Sequence, residues 1–244
     1  MIIILAGIAA AIIAVFLVLS FPFQSRVLPV TAQLTTNDTS EVTTLDVFPP
    51  GSEPYGIGYP EWLAKYWQWV ILGTPEENVI DDPSGENCEI HQNGPVWFLA
   101  GTGGGEAERS CTVPSGKAIL LPVSLVECSF AEGDGTTEEE LRTCAKDDQD
   151  SVTHIELIVD GETLSNIEDY RIQSPLFEWN LPENSIFGIK SGVTSSVSDA
   201  RVVILEPLPP GKHEIHFESV LVDFTETGTL NFVEDVTYHL TITS

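Results

Sequence analysis

Apolar and polar positions alternate most regularly over residues 236–243, where Val236, Tyr238, Leu240 and Ile242 interleave with Thr237, His239, Thr241 and Thr243. A period of two predicts a strand with one face buried and the other in water. Short apolar or alternating runs bounded by Gly, Pro and Asp predict further strands over 95–100, 118–126, 155–159, 201–205 and 213–224, with Asp160-Gly161 as a hairpin turn. Helical spacing occurs in YPEWLAKYWQWVIL, where Pro60 suits a first helical position. Trp62, Tyr66 and Trp69 share one side of that helix, with Leu63, Trp67 and Val70 beside them. So broad an apolar surface predicts a plug packed on a sheet; a tryptophan platform for stacking sugars is the functional alternative. Thr136 with Glu139 three places on matches a capping box and predicts a helix over 137–146. Many strands and few helices predict a mainly β fold: an antiparallel β-sandwich, Ig-like or jelly-roll-like, with one or two short helices.

Residues 1–23 form an uncharged apolar run, long enough as a helix to cross the ~30 Å hydrocarbon layer of a membrane. They read as a signal peptide or a membrane anchor, which makes the membrane a partner if the segment is retained. Residues 24–58, rich in Thr, Ser, Pro and Gly, suit a flexible stalk, and 59–244 a single disulfide-stapled domain. The four cysteines, Cys88, Cys111, Cys128 and Cys144, lack the close spacing of a zinc site, so disulfides and an oxidising compartment are expected. Local pairing, Cys88 with Cys111 and Cys128 with Cys144, is one of three connectivities that four cysteines permit. Asn37-Asp38-Thr39 is a glycosylation sequon.

Charge narrows the partners. Ten basic residues against 37 acidic ones give a net charge of -27, which repels a phosphate backbone and excludes nucleic acid. Calcium is the cofactor expected if there is one: Asp81, Asp82 and Glu86 surround one turn, Asp134 and Glu138 another, and Asp147, Asp148 and Asp150 cluster in a third place. None follows the EF-hand order, and solvated acidic loops are the simpler reading.

Gly101-Thr102-Gly103-Gly104-Gly105 reads as a hairpin tip, or as a backbone cradle for an anion that Glu106 and Glu108 would oppose. His213 and His216 look like a metal pair, but residues three apart on a strand face opposite ways. His213, in phase with Ile215 and Phe217, is expected to be partly buried and hydrogen-bonded, with His216 on the polar side. No nucleophile elbow, zinc-protease helix or Walker loop occurs. If there is a catalytic site, His91, Glu127, Arg171 and His213 are the polar groups nearest apolar runs that can build it.

Residues 81–128, with their Trp97 segment GPVWFLAG, paired cysteines and VPSGK, resemble a group of uncharacterised secreted microbial proteins that also carry a Trp-rich helix. The likeness extends to YRIQSP at 170–175 and LPPGKH at 208–213. It implies export and a common fold, and no catalytic residue. The expected function is therefore an exported cell-envelope or extracellular module, non-catalytic, that binds a protein or glycan partner. The alternative is a secreted hydrolase or metal-dependent enzyme using the four residues just named.

Overall fold

The structure, a computed structural model, describes residues 45–225 and 228–244. The leader, the first part of the expected stalk and the sequon at Asn37 lie outside the described residues. Among the described residues no helix is long and apolar enough to cross a membrane.

In chain order the elements are α1 (Tyr59–Val70), β1 (Val96–Phe98), β2 (Gly105–Val113), β3 (Ala118–Ser129), α2 (Glu138–Asp150), β4 (Val152–Val159), β5 (Glu162–Thr163), β6 (Arg171–Gln173), β7 (Phe177–Leu181), β8 (Gly192–Leu205), β9 (Gly211–Thr225) and β10 (Gly228–Ile242). They build two five-stranded sheets. The first runs β1-β3-β8-β6, with β7 also paired to β8, and the second runs β2-β10-β9-β4-β5. The fold is mainly β and sandwich-like, as the strand count predicts.

The purely antiparallel expectation is corrected. β1 pairs with β3, and β2 with β10, in parallel. The physical reason is the crossover: after β1 the chain enters the second sheet as β2 and returns to the first as β3, and two reversals leave β1 and β3 pointing the same way. β2 itself escapes a hydropathy reading because its outward positions are Glu106, Glu108, Ser110 and Thr112, and one inward position is Arg109. Its burial alternates, but its hydrophobicity does not.

α1 starts where Pro60 predicts. Its aromatic residues are packed, not displayed: Trp62, Trp67 and Trp69 are 5, 7 and 4% exposed, which removes the sugar platform. Trp62 Nε1 donates to the Pro54 carbonyl at 3.1 Å and Trp69 Nε1 to the Ile90 carbonyl at 2.9 Å. Trp67 stacks on Trp179 of β7 at 5.5 Å, and Trp179 on Phe177 at 5.8 Å.

The folded unit also begins earlier than Tyr59. Val47 bridges Leu205, the Phe48 amide donates to the Ile204 carbonyl at 2.9 Å, and the Tyr59 hydroxyl donates to the Phe48 carbonyl at 2.6 Å. Residues 45–58 are therefore bound to the domain, because Leu45, Val47, Phe48 and Ile57 pack against its core and Pro54 is buried.

α2 is capped one residue later than predicted, by Thr137 and Glu140, and runs on to Asp150. Leu141, Ala145 and Gln149 form its buried stripe, and Leu141 and Ala145 pack against Cys128 of β3 and Val197 of β8. The disulfides are Cys88–Cys111 and Cys128–Cys144, the local pairing of the three that were open. The first ties the loop before β1 to β2; the second ties α2 to β3.

Candidate functional site

The open face of the second sheet is polar among the described residues. In register, Ser110 of β2, His239 of β10 and Glu214 of β9 form one row, and Glu108, Thr237 and His216 the next. His239 is held between carboxylates: Nε2 lies 2.9 Å from Glu108 Oε1 and Nδ1 lies 3.5 Å from Glu214 Oε2. His216 Nε2 lies 3.0 Å from Asp235 Oδ1. Where this face meets the Cys88–Cys111 bridge it deepens into a cleft of about 620 Å³, bordered by Glu86, Glu89, Thr112, Lys212, His213 and His239.

His213 is partly buried and hydrogen-bonded. Nδ1 lies 2.6 Å from Asp160 Oδ2 and Nε2 lies 2.8 Å from the Pro209 carbonyl. Asp160, at φ 51° in the β4–β5 turn, also accepts the Glu214 amide at 2.9 Å. With both ring nitrogens occupied by protein oxygens, His213 offers no free nitrogen to a substrate proton or a metal.

The four residues proposed as a catalytic set do not share a site. His91 lies outside the strands, 3.8 Å from Glu77, beside a separate cleft of about 370 Å³ next to Lys65 and Gln68 of α1. Glu127 is on β3 and Arg171 on β6 of the first sheet, whereas His213 is on β9 of the second. Arg171 is consumed by Asp199 at 2.9 Å and Asp150 at 2.6 Å. None of the four hydrogen-bonds to another; Glu127, Arg171 and His213 are spent on local partners, and His91 is exposed, with Glu77 at 3.8 Å.

The acidic turns are likewise built for folding. Asp82, 6% exposed, accepts the Ser84, Gly85 and Glu86 amides on Oδ1 and the Asn87 amide on Oδ2, which caps its own turn. Asp81 and Glu86 are exposed beside it. Asp134 accepts the Ser129 amide at 2.9 Å and Glu138 pairs with Arg142 at 2.6 Å. Asp134 also lies near the sulfurs of Cys128 and Cys144, but these are bonded to each other and supply no thiolate. The carboxylates put forward for calcium thus have other work at Asp82, Asp134 and Glu138.

Glu127 is unusual among the acids. Burial, first, and the neighbouring Glu132 and Asp134 push its carboxyl up to about 9, against the opposing hydrogen bond donated by Ser196. It is neutral in the folded protein at pH 7. Because its folded value lies above the ordinary one, its contribution to stability is complete below about pH 4.5 and is lost as pH rises through about 9. Glu127→Gln, which keeps an acceptor for Ser196, is expected to raise the melting temperature at pH 8 and leave it unchanged near pH 4, as read by calorimetry.

A polar knot that sequence reasoning missed lies between β2, β10 and the loop from β1. Arg109, 1% exposed, donates from Nε to the Asp82 carbonyl at 2.6 Å and from Nη2 to the Ile80 carbonyl at 2.8 Å. Its Nη1 donates to the Ala100 carbonyl, the Gly101 carbonyl and the Tyr238 hydroxyl at 2.7, 3.0 and 2.8 Å. The Gly-rich segment is therefore an inter-sheet crossing, not a hairpin tip. It does cradle an anion, but the chain's own: the Thr102 amide donates to Glu234 Oε1 at 2.6 Å. The only signal for this knot was Arg109, in phase with Ala107, Cys111 and Val113 on the inward side of a faint alternation.

Comparison with protein-family models, curated proteins and solved structures gave no match.

Proposed function

We propose that the protein is an exported, non-catalytic binding module of the cell envelope or the extracellular medium, and that it engages its partner through the open face of the second sheet. The observation that carries this reading is the commitment of Glu127, Arg171 and His213 to internal partners, with His91 apart from them, beside a face of hydroxyls and carboxylates that is left open. Two disulfides support an oxidising destination. Around the cleft the acids Glu86, Glu89 and Glu214 outnumber the lone Lys212, so the chemistry favours a donor-rich or cationic partner over an anionic one.

Immobilised glycans and basic peptides, probed with the full chain, test the reading. Binding is expected to fall at least tenfold on Glu108→Lys with Glu214→Lys, two exposed positions whose replacement spares the core. Turnover of ester, glycoside or peptide substrates that disappears in His213→Ala would overturn the non-catalytic reading. Reduced cysteines in protein recovered from its native compartment would overturn the export reading.

A further inference from the structure

The side of α1 that carries Trp62, Lys65 and Trp69, continued by Leu72 just past its end, lines the cleft of about 370 Å³ that His91 borders. The opposite wall is the loop before β1, and the fold pins it. Trp69 Nε1 donates to the Ile90 carbonyl at 2.9 Å. The Gln92 side chain donates to the Phe98 carbonyl at 2.8 Å and accepts the Phe98 amide at 3.0 Å, and Lys117 Nζ donates to the Gly94 carbonyl. Between these anchors His91 is held at φ 56°, in the left-handed region that a non-glycine residue enters only under constraint. The cleft thus stands open and preformed, as small-molecule sites generally are, and its volume falls within their range of roughly 300–1,000 Å³.

Its charge is the reverse of its surroundings. The clefts of about 620, 270, 720 and 600 Å³ elsewhere on the protein are each lined by three or more carboxylates, in keeping with 37 acidic residues against 10 basic ones. None lines this one, where the ionisable groups are Lys65 and His91. Lys65 is exposed and has no ion-pair partner among the described residues. Glu61, one turn before it, folds back instead: its Oε2 lies 2.7 Å from where a Cβ on Gly58 would stand, at the helix N-terminus that favours a carboxylate. On the other wall Glu77 lies 3.8 Å from His91, too far for a hydrogen bond. The floor is apolar: the Phe98 ring packs 6.2 Å from that of Trp62 and 5.5 Å from that of Trp69, and Leu72 beside it is 57% exposed.

We propose that this cleft binds a small aromatic carboxylate, at a second site apart from the acidic face of the second sheet and opposite to it in charge preference. The ring of such a ligand covers Leu72 and the exposed edge of the aromatic floor, while its carboxylate takes the charge of Lys65 and a hydrogen bond from His91.

Titration of the full chain with phenylacetate, its neutral amide phenylacetamide and the cationic phenethylamine tests the site. Ionic strength is held near physiological, which screens the net negative charge of the protein. Binding is read from tryptophan fluorescence and from the indole N–H signals of Trp62 and Trp69 by NMR. Phenylacetate is expected to bind at least about tenfold more tightly than phenylacetamide, and phenethylamine more weakly still. Lys65→Glu, at an exposed helical position, is expected to weaken phenylacetate at least about tenfold and to leave phenylacetamide unaffected. Equal binding of the three probes, phenylacetate affinity unchanged in the variant, or indole signals that no probe moves would each overturn the proposal. The comparison of acid, amide and amine on the wild-type chain decides the matter even if the variant fails to fold.

Discussion

Arg109→Met is expected to cost about 4 kcal/mol of folding free energy, measured by denaturant unfolding. The side chain is 1% exposed and makes five hydrogen bonds, four of them to the carbonyls of Ile80, Asp82, Ala100 and Gly101. Methionine fills much of the volume, and although the Ala100 carbonyl keeps the Tyr238 hydroxyl and the Gly101 carbonyl keeps Tyr66, those of Ile80 and Asp82 lose their Arg109 donor, each at a penalty of roughly 1–3 kcal/mol before relaxation. Lysine is not expected to rescue the fold. Its ammonium has three donors at one point, whereas the acceptors here are spread around a planar fork. A loss below about 1 kcal/mol for Arg109→Met would mean that the carbonyls find other donors and that the knot is not what holds the two loops.

Removing the Cys88–Cys111 bridge by paired serine substitution is expected to cost about 3 kcal/mol, and removal of Cys128–Cys144 nearly as much, since the spans of 23 and 16 residues differ little in loop entropy. The consequences differ in place. Cys88 and Cys111 belong to the main core and hold the same loop whose Ile80 and Asp82 carbonyls Arg109 binds. Loss of this bridge and of Arg109 should therefore be less than additive, and the double variant compared with its parents checks that coupling. Cys128 belongs instead to the small cluster under α2, so opening its bridge should loosen α2 against β3 while the second sheet persists. Amide exchange in α2 after mild reduction separates the two cases.

The sequence discloses those parts of the fold whose burial coincides with hydropathy. α1, β4, β9 and β10 are legible because most of their buried positions are large apolar residues at a regular period, and β3 because it opens on an unbroken apolar run. β7 carries the same alternation over Phe177, Trp179 and Leu181 but is only five residues long, and β6 only three, too short for a period to stand out. β2 fails for a different reason: the residue at its inward centre is a cation, and no propensity scale foresees an arginine satisfied by carbonyls from distant loops. The same limit applies to function. His91, Glu127, Arg171 and His213 look alike as polar residues beside apolar runs, and only three dimensions reveal that each has a different neighbour. Glu234, flanked by Val233 and Asp235 in an ordinary strand, carries no mark of the loop that closes over it.

The parallel seam between β2 and β10 has a consequence for how the chain is made. Gly105 meets Glu234 and Val113 meets Ile242, each a separation of 129 positions (234 − 105 and 242 − 113). A strand synthesised early must wait, with its inward arginine and cysteine uncovered, until β10 has emerged. Contacts of such range slow folding and give cotranslational assembly of this sheet no foothold. Nascent chains halted before residue 234 should accordingly remain protease-sensitive across β2, long after β3 and β8 have found each other.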